Sequence, residues 1–169
     1  MQSGKPVAVF KSHPDAPRVE SRIIWARDAD DVWVGSRSGQ MAHYDGRRVT
    51  IHQLETDSEI ARIDGAASDD VWALTSGDQL FHWDGRRWTA GPEFPDDRSY
   101  DLDDLSYDAP GELYVSGRLW NVNAAMIARW DGSSWKQWVI PTEERWNVQL
   151  DRPHADGPLI AVVQDHDAS

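Results

Sequence analysis

His43 and His82 occupy matching places in two copies of one sequence pattern, and Arg129 holds the third place. Two histidines on neighbouring strands would supply half of a metal site, but such sites need three or four converging ligands. Neither His-x-His nor His-x-x-x-His stands beside them, so the expectation is a half-buried histidine on a strand. Asp101, Asp103 and Asp104, and more faintly Asp28, Asp30 and Asp31, resemble pieces of a calcium loop. Both lack the Asp-x-Asp-x-Asp-Gly run with its distant Glu, and turns capped by their own side chains are the better reading. The chain has no Cys, which excludes disulfides, thiolate metal sites and thiol nucleophiles. No nucleophile–base pair, phosphate loop or dinucleotide fingerprint is present. The chemistry expected is noncatalytic, with no metal and no cofactor.

The elements that carry these residues repeat. Asp30-Asp31-Val32-Trp33 runs to His43-Tyr44-Asp45-Gly46-Arg47-Arg48-Val49. Asp69-Asp70-Val71-Trp72 runs to His82-Trp83-Asp84-Gly85-Arg86-Arg87-Trp88. A looser copy joins Gly111-Glu112-Leu113-Tyr114 to Arg129-Trp130-Asp131-Gly132-Ser133-Ser134-Trp135. A period of about 40 residues is the mark of a repeat architecture. Within the first copy, Ile23-Ile24-Trp25, Val32-Trp33-Val34, Gln40–Tyr44 and Val49-Thr50-Ile51 read as four short antiparallel strands. Asp45-Gly46 is a hairpin signal for a two-residue turn with positive φ. Ile63 and Leu105 match Ile24 in the later copies. Four-stranded units of this length are propeller blades. The expected architecture is all-β, one β-propeller domain over residues 1–169, with blades at about 22–54, 60–90 and 100–140. A closing blade would combine residues 5–10, around Val7–Phe10, with 146–163. Closure within one chain gives four blades, and closure between two chains gives an eight-bladed homodimer.

The Asp-Val-Trp, turn, His-aromatic-Asp-Gly-x-x-Trp pattern resembles a group of bacterial β-propeller repeats and is similar in layout to WD40-like and kelch-like propellers. The resemblance covers most of Ile23 to Ile140 and implies the fold rather than an activity, because propellers host many functions. Asp-Gly-x-x-Trp departs from the Asp-box of sialidase-type propellers, which has a residue between Asp and Gly. The Arg cluster, Tyr nucleophile and acidic partners of a sialidase do not assemble either. Trp33, Trp72, Tyr44, Trp83, Trp130, Trp88 and Trp135 recur from blade to blade and are expected to hold blades together.

What does not repeat is more informative about function. Fourteen residues separate Asp31 from Asp45 and Asp70 from Asp84, but 19 separate Glu112 from Asp131. Five extra residues therefore fall between strands two and three of the third blade, around Arg118-Leu119-Trp120-Asn121-Val122-Asn123. Three more fall in the link between blades two and three, within Gly91–Tyr100. Such loops and links emerge on one face of a propeller, and function collects where a scaffold is decorated. The candidate partner-binding residues are Arg118, Trp120, Asn121 and Asn123, flanked by Asp96, Asp97 and Arg98, with Glu143, Glu144 and Trp146 from the following link. An aromatic and an Arg among carboxylates fit a protein hot spot.

With 17 basic and 29 acidic residues the net charge is −12. That opposes nonspecific binding to nucleic acid or anionic lipid and favours a protein partner with a basic surface. The first residues lack the apolar run of a signal peptide and no stretch is long enough to span a membrane, so a cytoplasmic protein is expected. The function expected is a protein-binding propeller, one form being an adaptor or an immunity protein that neutralises an effector. The alternatives are a carbohydrate-binding, lectin-like propeller and a structural segment of a larger assembly.

Overall fold

The computed structural model describes residues 21–94, 100–120, 122–141, 146–151 and 160–165. Blade 1 comprises β1 (Ser21–Asp28), β2 (Asp31–Ser36), β3 (Gln40–Tyr44) and β4 (Val49–Gln53). Blade 2 comprises β5 (Ile60–Ala67), β6 (Asp70–Thr75), β7 (Leu80–Trp83) and β8 (Trp88–Ala90). Blade 3 comprises β9 (Tyr100–Ala109), β10 (Glu112–Leu119), β11 (Ala124–Trp130) and β12 (Trp135–Pro141). Each is an antiparallel meander with its strands in chain order, and β13 (Trp146–Asp151) pairs with β14 (Ile160–Asp165) as a half-blade. The expected strand at Val7–Phe10 lies outside the described residues.

The repeat register is kept in three dimensions. Ile24 faces Val34, Ile63 faces Ala73 and Leu105 faces Val115 across the first strand pair of each blade. Every first strand also carries two β-bulges at equivalent places: Arg22 and Arg27, Ala61 and Ala66, Asp103 and Asp108 are the extra residues. A bulge re-aims a side chain and bends its strand. Arg27 reaches Asp31, and Asp108 reaches Arg129. A residue pattern of period two does not reveal such insertions.

The third-to-fourth-strand turns differ from expectation. Tyr44 pairs with Val49 and the Asp45 N–H donates to the Arg48 carbonyl at 3.2 Å, so the tip is Gly46-Arg47, one residue beyond the expected Asp45-Gly46. The Asp45 carboxylate accepts the N–H groups of Arg47 and Arg48 at 3.0 and 2.9 Å. Asp84 and Asp131 do the same to the residues two and three ahead. Positive φ is confined to the glycine, at 83°, 85° and 87° for Gly46, Gly85 and Gly132. An Asx-type bond to two backbone donors fixes these loops, leaving one position that favours Gly.

The first strands run side by side, β1 against β5, β5 against β9 and β9 against β13. Apolar cores fill the spaces between blades. Trp33, Met41 and Leu54 of blade 1 meet Ile60, Val71 and Phe81 of blade 2. Trp72, Leu74 and Leu80 of blade 2 meet Leu102, Leu113 and Met126 of blade 3. Carboxylates seal the joints that follow blades 2 and 3 by accepting backbone N–H groups from the next unit: Asp64 from Tyr107, Asp78 from Leu102 and Asp104 from Leu150, at 2.7–2.9 Å. A strand N–H buried at a joint needs a partner, and these three find one across a blade boundary.

Candidate functional site

At one end of blade 3, Tyr100, Leu119, Ala124 and Pro141 stand in one row across its four strands. The β10–β11 hairpin tip therefore lies at the end of blade 3 where β9 begins and β12 ends. The five extra residues of the repeat are not all loop. Both strands of the hairpin grow beyond their counterparts, β10 reaching eight residues where β2 and β6 have six. Arg118 and Leu119 are strand residues, and the turn is confined to positions between Leu119 and Ala124. Asn123 closes it with φ +46°, a left-handed conformation that Asn tolerates better than most residues.

Arg118 and Trp120 are brought together. The Arg118 guanidinium carbon lies 4.7 Å from the Trp120 ring centroid, within cation–π range. Trp120 is 56% exposed and Val122 beside it is equally open. From behind, Arg118 Nε lies 3.3 Å from an Asp103 oxygen and its terminal nitrogen 3.9 Å from Asp101. The Nε–Asp103 approach is out of line for a hydrogen bond, so the pair acts by charge. Burial pushes the Asp103 carboxyl above its ordinary value, and Arg118 opposes that rise. Asp103 is a bulge residue, which is how a first-strand carboxylate reaches β10. Sequence reasoning missed it as part of this cluster, and the run Asp101-Asp103-Asp104 was its only signal.

Asn121, Asp96, Asp97, Arg98, Glu143 and Glu144 lie outside the described residues. Trp146 opens β13. Within the described part of the preceding link, Phe94 packs edge-on against Tyr100 and Trp135, and the Trp135 indole N–H donates to the Glu93 carbonyl at 3.0 Å. The link is thus tied to blade 3 before it reaches the hairpin end.

The matched histidines are engaged elsewhere. His43 Nε2 lies 2.8 Å from Asp31 and His82 Nε2 lies 2.7 Å from Asp70, and their rings stack on Trp33 and Trp72. Arg129 takes the same role in blade 3, paired with Glu112 and Asp108 and placed over Tyr114. The half-buried strand histidine is what the structure contains, with its carboxylate supplied by the start of strand two. Among the described residues no three His, Asp or Glu side chains group as a metal site. An open cleft of about 560 Å³ lies at the opposite end of the blades, lined by Arg27, Asp28, Asp30, Asp31 and Asp45 among others. No helix among the described residues is long and apolar enough to cross a membrane.

No protein-family model matches the sequence, and no curated protein matches it. Solved structures do. A structure of YCF48 bound to D1 peptide aligns with a TM-score of 0.52 at 14% identity, covering 70% of this chain and 40% of that one. A crystal structure of BBS1N in complex with ARL6DN aligns with a TM-score of 0.58 at 13% identity, covering 86% of this chain and 48% of that one. The fold is a β-propeller. This chain spans less than half the length of either neighbour. At these identities the likeness concerns the fold alone.

Proposed function

We propose that this chain is a noncatalytic, protein-binding propeller that acts in the cytoplasm and holds its partner at the hairpin end of blade 3. The observation that carries this reading is the exposed Trp120 with Arg118 pinned against it by Asp103 and Asp101. A large aromatic fixed by a guanidinium loses little side-chain entropy on binding, which is the physical basis of a hot spot. Two propellers of similar architecture have been solved with a peptide and with a protein, as YCF48 with D1 peptide and BBS1N with ARL6DN, which supports the class of ligand. The net charge of −12 favours a basic partner surface and salt-sensitive association. A small acidic protein that captures a basic effector would act as an immunity or adaptor protein.

The test begins with purified protein as bait in a lysate of its source organism at low and moderate salt, retained proteins being identified by mass spectrometry. A basic protein held at low salt and released by added salt is the expected result. The isolated partner should then bind Trp120→Ala at least tenfold more weakly, with the variant's circular dichroism unchanged. Unchanged affinity for Trp120→Ala and for a Glu143/Glu144 charge reversal would place the interface elsewhere. Saturable Trp quenching by a glycan panel would instead support a carbohydrate site, although Arg118 already covers one face of the Trp120 ring.

A further inference from the structure

The turn between the second and third strands is polar in the first two blades and apolar in the third. Blade 1 turns through Arg37-Ser38-Gly39 and blade 2 through Ser76-Gly77-Asp78, and Gly, Ser and Asp are residue types that a tight turn prefers. Blade 3 places Trp120 and Val122 there, 56% and 53% exposed. The other exposed large apolar side chains among the described residues, Ile24, Ile51, Trp138, Val139 and Ile140, stand on strands. Turn formation does not call for a Trp or a Val. The strand ends beneath them are buried at Leu119, Ala124 and Ala125, so two apolar side chains are held out from a rooted hairpin.

The charges beside that hairpin are unequal. Asp101 and Asp103 face Arg118, and Asp104 behind them pairs with Arg62 at 2.9 Å. Asp78, on the neighbouring turn of blade 2, feels the charges of Asp101 and Asp103. Four described carboxylates therefore stand against two guanidinium groups. Asp78 and Asp104 are committed to the Leu102 and Leu150 N–H groups. Asp103 is 22% exposed and lies behind Arg118. Asp101 differs, with a side chain 48% exposed that meets Arg118 at the longer distance of 3.9 Å.

Resting on the reading of Trp120 as the partner contact, we propose that this end of blade 3 recognises a partner segment in which a lysine or arginine stands beside an apolar residue. The apolar side chain covers Trp120 and Val122, and the cation lies at Asp101. Arg118 already holds one face of the Trp120 ring, so the ring offers its other face to an apolar group and the excess of carboxylate receives the charge. Exclusion of water by the apolar contact strengthens the charge pair beside it. An acidic segment meets the same excess of carboxylate and is rejected.

A random peptide library is panned on the full chain with Trp120→Ala as the counter-selecting surface, and the recovered peptides are synthesised and titrated by fluorescence polarisation. The proposal expects Lys or Arg beside an apolar residue in the recovered sequences. Affinity should fall about tenfold with Trp120→Ala. With Asp101→Asn it should fall about two- to fivefold and become less sensitive to salt. Replacing the peptide's basic residue by norleucine should cost as much on the unmodified protein and nothing further on Asp101→Asn. Val122→Ser, in an exposed turn, takes the place of Trp120→Ala if that variant loses its β-sheet spectrum. Peptides that need Trp120 but carry no basic residue, or that bind Asp101→Asn unchanged, overturn the cation assignment and leave the Trp120 reading standing. A library that yields no peptide separating the unmodified protein from Trp120→Ala and Val122→Ser overturns both.

Discussion

At the residue scale, the acidic and aromatic side chains divide by what holds them. His52 lies against Trp33 and Trp83 with its Nε2 buried and unpartnered. Burial, with a smaller contribution from His43, holds its pKa below the ordinary histidine value. The folded state therefore favours the neutral ring, and the unfolded chain takes up the proton first as pH falls. His52 contributes stability that is complete above about pH 6.5 and is lost as pH falls from there through its lower folded pKa. In His52→Phe, the loss of melting temperature between pH 7.5 and pH 5.5 should be smaller than in the unmodified protein; an identical loss would remove His52 from the account. Asp131 shares that sign, although there folding favours the charged form. Bonds from Ser134 and Ser133 lower its carboxyl to about 2, so its turn keeps its charge well into acid, and that contribution fades only as pH falls through that value. Trp120 differs from both, since truncating it should cost partner affinity and little stability.

At the element scale, the joints between blades carry the stability. Asp64→Ala removes the acceptor of the Tyr107 N–H and leaves a strand donor at the joint without its partner. The expected cost is about 1–3 kcal/mol by chemical denaturation, whereas Glu55→Ala, on an exposed residue, should fall within about 0.5 kcal/mol of the parent. Gly35 makes a steric counterpart. A Cβ there would lie 2.6 Å from Ile60 Cβ across the joint between blades 1 and 2, and overpacking of this kind costs about 1–3 kcal/mol. Gly111→Ala meets nothing within 4 Å but sits at φ +72°, so only left-handed strain of about 1 kcal/mol opposes it. Equal effects at the two glycines would mean that the blades slide apart to admit the methyl group.

At the scale of the whole molecule, closure of the ring within one chain and closure between two chains predict different melting behaviour. A propeller arc closed by a second copy should melt at a temperature that rises with protein concentration, because unfolding then includes dissociation. A concentration-independent transition in the unmodified protein would be the signature of closure within one chain. Trp120 stands at the hairpin end of blade 3 and is not among the residues of the joints between blades, so Trp120→Ala should leave the native mass unchanged.

The blade pattern was legible because it is local and repeated. Alternating apolar residues choose strands and faces, Asp-Gly marks the loops, and a period of about 40 residues multiplies one unit into several. The position of the decorated end was legible for the same reason, since counting between equivalent aspartates locates an insertion without any coordinates. Tertiary structure decided what depends on contacts between blades. Two bulges per first strand turn Asp103 and Asp108 toward Arg118 and Arg129, and no pattern of period two contains them. The loop chemistry turned on side-chain bonds from Asp45 that a dipeptide rule does not count. Above all, Ile24, Ile63 and Leu105 are equivalent in sequence and unequal in burial. Sequence sets the residue, but exposure depends on what stands beyond the blade.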